Sequence, residues 1–349
     1  MHRPLAALSG AALAILLLAG PTLACGGLIG PNGAVNLLRT TTFAGYHDGV
    51  EHYVTAFEFA GGGGQFGSIT PLPGIPTDVV RGGDWTLQRL VRETDPVPER
   101  AFLALSAADA AGEAEVLLET TIDALDITIL RGGGDEVGAW ARQHGFNLPP
   151  DAPEVLDFYA ERSPIFMAAA FDADAAVTRG QAIGDGTPVH LTIPTDNPWV
   201  PLRILGLGKT SVETVQADVY LLTDELPALL PQPAGGLSLA HSAAATDLLL
   251  ADLRSDAGME WVPTEGWLTK IEIDAPATDL TFDLAIDASG RGQPSMVDAG
   301  LAGRAAPPQP PLPNLALIAG LVALVVAGPM LIGLGITAVG RRQPPMAGA

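Results

Sequence analysis

The stretch HDGVEH places His47, Asp48, Glu51 and His52 within six consecutive positions, four side chains that could hold a metal ion. Imidazole nitrogens and carboxylate oxygens are the ligands a zinc-like ion accepts, usually four together. The competing reading is a turn that happens to carry histidines. Asp48-Gly49 tolerates the positive φ angles of a two-residue type I′ turn, and VNLLRTTTFAGYH and VEHYVTAFEF alternate on either side as hairpin strands. Counting outward from the turn pairs His47 with Val50 and Gly45 with His52. Side chains alternate faces along a strand, so His47 and His52 share a face as diagonal neighbours, about 7–8 Å apart at the backbone. Glu51 points to the opposite face, and Asp48 is occupied by the turn. The cluster therefore reduces to two candidate metal ligands, His47 and His52, which need help from elsewhere.

Other local chemistry is sparse. H-E-x-x-H, G-x-S-x-G, a Walker loop and Cys-x-x-Cys do not occur, so no catalytic residue and no cofactor is assigned. Asp172, Asp174 and Asp185 have the wrong spacing for a calcium loop and read as a solvated acidic loop. Glu58, beside the glycine cluster AGGGGQFG, reads as an exposed strand end, and the cluster as a turn or bulge rather than a phosphate cradle. His144 suits a helix C-terminus, and His190 suits packing or a carbonyl bond. Arg203, inside the apolar PLRILG, must pair or reach water; a structural salt bridge is expected. Trp140, Phe146, Tyr159 and Phe166 read as core.

The elements that position these residues come in mixed order. DWTLQRLVRE (84–93) reads as a helix capped by Asp84. Residues 132–145 read as a helix capped by Asp135 and stopped at Gly145, and 151–162 as a helix opened by an Asp151/Glu154 capping box. HSAAATDLLLADLRSDAG (241–258) reads as a fourth helix ending at Gly258. EVLLETT, ALDITILR, PIFMAAAF, PVHLTIP, VPLRILG, ETVQADVYLLTD, GWLTKIEIDA and DLTFDLAID read as strands. Without steady βα alternation, the fold class is α+β: mixed, largely antiparallel sheets with a few packed helices, plus one C-terminal transmembrane helix.

The two ends give an address. Residues 1–24 have a weakly basic start, an apolar run and small residues before Cys25, the pattern of a cleaved signal peptide. Cys25 is the one cysteine, so no intramolecular disulfide forms; as the first mature residue it is open to lipidation. From Leu315 to Val339 run 25 uncharged residues, and Arg341 and Arg342 follow. At about 1.5 Å per residue this crosses a membrane, with residues 340–349 as a cytoplasmic tail by the positive-inside rule. Residues 304–314 are a proline-rich stalk, and LPNLA (312–316) resembles a sortase signal that lacks its threonine and glycine. Residues 25–303 remain as the extracytoplasmic domain, of one or two folded units. A net charge of −21, with 18 basic residues against 39 acidic, excludes a nucleic-acid partner.

ACGG, DGVEHYV, FGSITPLPGIP, LDITILRGGGDEVGAWARQHGFNLP, LDFYAERSPIFMAAAF, WVPLRILG, ADVYLLTD, WLTKIEI and DLTFDLAI, in that order, resemble the bacterial domain-of-unknown-function family 2330 over roughly residues 24–287. Members often carry a second cysteine shortly after CGG; LIGPNG has none here. The resemblance implies an exported, often membrane-anchored domain and transfers no catalytic residue. The expected protein is thus a single-pass membrane protein of the cell envelope. Its outer domain binds an envelope or extracellular partner or plays a structural part; the alternative is an envelope enzyme, possible metal chemistry at His47 and His52 included.

Overall fold

A computed structural model describes residues 27–30, 33–34, 40–57, 67–95, 115–171 and 187–303. The chain divides at Ala302/Gly303 into two units, and the second lies almost entirely outside the described residues. So do the signal segment, Cys25, Glu58, the 172–185 acidic loop, the stalk and the 315–339 span. Among the described residues no helix is long and apolar enough to cross a membrane.

Among the described residues of the first unit are three sheets and four α-helices. Strands β1 (Gly27–Gly30), β2 (Gly33–Ala34), β3 (Thr40–His47), β4 (Val50–Phe57), β5 (Gly67–Pro71) and β6 (Asp78–Arg81) precede helix α1 (Thr86–Thr94). Then come β7 (Glu115–Ile122), β8 (Leu125–Arg131), α2 (Gly134–Gln143), α3 (Ala152–Ala160), β9 (Ile165–Phe171), β10 (Thr187–Pro194) and β11 (Trp199–Val200). The chain ends its described part with β12 (Thr214–Thr223), β13 (Ala228–Leu230), β14 (Leu237–Ala244), α4 (Asp247–Ser255), β15 (Trp267–Pro276) and β16 (Leu284–Asp287). The sheets run β2-β1-β5-β9-β8-β7, β14-β15-β12-β3-β4-β10-β6 and β11-β16-β13. Every ladder is antiparallel except β3 with β12. The mixed, largely antiparallel α+β expectation holds for the described residues.

The central strands of the seven-stranded sheet are buried on both faces. One face gives Phe43, Val54, Tyr220, Leu222 and Leu268 to a cluster with Leu87 and Leu90 of α1 and Leu249, Leu250 and Leu253 of α4. The other gives Ala44, Tyr53, Leu191, Val219 and Ile271 to a larger cluster. That cluster also holds Ile127, Ile129 and Met167 of the six-stranded sheet and Trp140, Phe146, Tyr159 and Phe166, the expected aromatic core. Strand β9 is buried at every position, which suits a central strand whose alanines allow close approach from both sides.

Three segments depart from the sequence reading. Of DLTFDLAID (279–287) only Leu284–Asp287 is strand. Residues 237–244 form an edge strand, and only 247–255 are helical, capped by Thr246 accepting from the Leu249 N–H. The apolar VPLRILG (200–206) supplies only Val200 to the short strand Trp199–Val200, and then a 3₁₀ turn at Arg203–Gly206.

The helix starts also differ, for one shared reason. Asp84 does not cap α1; it pairs with Arg81. Buried Asp256, just after α4, takes that place. Its carboxylate accepts from the N–H groups of Asp84 (3.0 Å) and Trp85 (2.9 Å) and from Oγ1 of Thr86 (2.8 Å). A Cβ on Gly83 would overlap this carboxylate, so glycine is needed there. At α2 the Gly133 N–H donates to Glu136 (2.7 Å) and the Gly134 N–H to Asp157 of α3 (3.0 Å), while Asp135 is exposed. At α3, Asp151 accepts from the Gly208 N–H (2.9 Å) and Glu154 pairs with Arg203, so no local box forms. Helix donors here are satisfied across the fold, which local spacing cannot show.

Asp256→Ala would leave three donors at the start of α1, the buried Thr86 hydroxyl among them, without their acceptor, and we expect a loss of about 2 kcal/mol of stability. Urea denaturation monitored by circular dichroism measures it; an unchanged midpoint would remove Asp256 from this role.

Candidate functional site

The β3–β4 hairpin carries the site. Asp48 (φ 49°) and Gly49 (φ 77°) both have positive φ, the type I′ signature. The register pairs His47 with Val50 and Gly45 with His52, as counted from the turn. His47 and His52 therefore share a face, and Glu51 lies on the other. Each histidine is engaged separately. His47 Nδ1–H donates to Asp224 (2.6 Å), and its Nε2 lies 3.3 Å from Asp48. His52 Nδ1 shares a hydrogen bond with Nε2 of His190 on β10 (2.9 Å). Among the described residues, no group of three or more His, Cys, Asp or Glu is placed to hold a metal ion.

His52 and His190 meet under an aromatic lid. Trp261, in the segment after α4, lies parallel to His52 (ring centroids 4.0 Å apart, planes 2° apart) and within 5.5 Å of His190. The indole also passes over Gly45, where a Cβ would overlap it. Burial lowers His52 to about 4, helped by the nearness of His190 and His47. Burial likewise lowers His190 to about 4; the backbone of Gly258 lies close enough to offset only part of this. Nδ1 of His190 has no hydrogen-bond partner of normal geometry, and neither does Nε1 of Trp261. Both imidazoles are thus uncharged at neutral pH.

On the opposite face Glu51 is fully buried, and neither carboxylate oxygen has a hydrogen-bond partner of normal geometry. Burial raises its pKa to about 8; the Trp199 backbone N–H pulls weakly the other way. The side chain is therefore protonated near neutrality, the cheaper state for a carboxyl without a counter-charge.

Two further clusters are fully satisfied. Lys270 of β15 is buried with Asp95, Glu272 (2.7 Å) and Asp218 (3.6 Å) around its ammonium. Burial alone would lower Lys270, but hydrogen bonds to Asp95 and Glu272 outweigh it and raise the pKa. Asp283, also buried, accepts from Arg162 (2.5 Å), Tyr159 Oη (2.8 Å) and the N–H groups of Leu202 (2.7 Å) and Arg203 (3.0 Å). Burial raises its pKa, against the pull of Arg162. This network folds the 199–206 stretch onto α3. Arg203 makes its expected ion pair, with Glu154, and packs on Phe158. His144 caps α2, its Nδ1–H donating to the Trp140 carbonyl (2.9 Å).

No local pattern announces His190 as the partner of His52, because the two lie 138 positions apart. Trp261 and Asp283 were equally hidden. Lys270 had a signal: it is one of two lysines and sits in an alternating apolar strand.

With this geometry established, comparison with known proteins is informative at one level. Residues 21–228 match the family described as "Uncharacterized protein conserved in bacteria" (DUF2330). The chain belongs to that family. No curated protein matches the chain. Similar solved structures are of baculovirus P35. A mutated P35 after caspase cleavage has 7% identity and a TM-score of 0.40, with 73% of this chain and 98% of that chain covered. P35 itself has 8% and 0.38, with 72% and 96% covered. The caspase-8/P35 complex has 7% and 0.37, with 71% and 95% covered. Likenesses of this size carry no argument about function.

Two outcomes are expected. Because the folded pKa of Glu51 exceeds its ordinary 4.5, its proton-linked stability is complete below that value and is lost as pH rises through about 8. Glu51→Gln should match the wild type at the acid end and gain on it by about 1 kcal/mol per pH unit across this window. Urea titrations at acid, neutral and alkaline pH test this, and parallel curves would refute it. Lys270→Met leaves the surrounding carboxylates without their cation and should cost about 3 kcal/mol, read as a lower urea midpoint.

Proposed function

We propose that this chain is an exported protein of the bacterial envelope, anchored by its C-terminal apolar segment, whose outer domain binds or braces a partner. One observation carries the reading: the uncharged run from Leu315 to Val339 followed at once by Arg341 and Arg342. The signal-like residues 1–24 and the proline-rich residues before the run support it. So does the use of ionic groups within the domain. Lys270, Asp283 and Asp256 are spent on rigid internal contacts, as a display scaffold requires.

The second reading is an envelope enzyme with a site assembled from distant residues. It is favoured by the meeting of His52 with His190.

Cell fractionation tests the anchor. The full chain should sediment with membranes and resist high salt, and external protease on spheroplasts should digest its domain. Removal of residues 315–349 should release it to the soluble fraction. A full-length chain found in the cytosol, or protected from external protease, would overturn the reading.

A further inference from the structure

We propose that His52 and His190 form a two-imidazole site for a borderline divalent transition-metal ion of the zinc and copper class, completed by water. The first ground is distance. Nδ1 of His52 and Nε2 of His190 lie 2.9 Å apart. Metal–imidazole bonds are about 2.0–2.1 Å, so two nitrogens at right angles on one ion lie about 2.9 Å apart, and tetrahedral ones about 3.4 Å. In the structure the two nitrogens point straight at each other, with ring centroids 5.2 Å apart, so an ion replaces the shared proton once each ring turns to aim its nitrogen at it.

The second ground is preorganisation. His52 pairs with Thr192 and His190 with Val54, so the ladder fixes the two histidines as diagonal neighbours on one face. Trp261, flat against His52, holds that ring in place. His190 is 4% exposed, whereas His52 is half-buried, which leaves the approach on the His52 side. Coordinating carboxylates would favour harder ions; two neutral nitrogens favour copper, nickel and zinc over magnesium and calcium.

The third ground is the second nitrogen of His190. Nδ1 is buried, with no partner of normal hydrogen-bond geometry and the Gly258 backbone beside it. With an ion on Nε2, Nδ1 must carry the proton, and the Gly258 backbone beside it is then the acceptor that a ligating histidine normally finds. His47, the other histidine of this face, is held by Asp224 and is not needed. The site stands apart from the membrane-anchor reading and survives its failure.

The full chain, purified in detergent without a histidine tag and stripped with chelator, is titrated with Zn²⁺ by calorimetry. One ion per chain is expected. Affinity should fall at least about tenfold in both His52→Gln and His190→Gln and stay unchanged in His47→Gln. Absence of stoichiometric binding, retention of affinity in both variants, or an equal loss in His47→Gln would overturn the assignment. Should the variants unfold, Cu²⁺ on the unaltered chain gives an independent reading. Electron spin resonance should show coupling to two imidazole nitrogens, and tryptophan quenching should diminish in Trp261→Phe. A spectrum without two coupled nitrogens rejects the site.

Discussion

The parallel pairing of β3 with β12 is the constraint on which the rest of the molecule depends. It brings residues 40–46 against 217–223 and seats the β3–β4 hairpin in the middle of a seven-stranded sheet. A hairpin at an edge could leave one face in water. In the middle, with helices α1 and α4 over one face and the larger core over the other, both faces are dry. Each ionisable side chain of the hairpin must then be paired, neutral or near a rim.

The molecule uses all three solutions. His47, near the turn, is exposed and meets Asp224. His52 stays neutral by sharing a hydrogen bond with His190 beneath Trp261. Glu51, one position away and facing the other side, stays neutral by keeping its proton. Farther along the same sheet, Lys270 stays charged because carboxylates surround it. The contrast between Glu51 and Lys270 follows from partners rather than depth, since both are completely buried.

Long-range contacts do similar work at the helix ends. Asp256 holds the start of α1 from about 170 residues away, and Asp157 and Glu136 share the start of α2. Asp283 joins α3 to the 3₁₀ turn at Arg203 through Arg162, Tyr159 and two backbone N–H groups. These contacts link the two cores to the loops between them. They also account for polar residues that local rules assign to the wrong task.

Sequence alone determined features set by neighbouring residues. The Asp48-Gly49 turn, its register, the shared face of His47 and His52, the stop at Gly145 (φ 78°) and most strands depend on backbone preferences and side-chain alternation. The family was legible too, because its motifs are short and ordered along the chain. Tertiary structure alone decided which side chains meet. His190 reaches His52, Trp261 covers both, and Asp256 replaces Asp84, because strand order in a sheet and loop closure bring together residues that no local period relates. The 241–244 stretch became strand for the same reason: pairing with β15 outweighed the helical preference of its alanines.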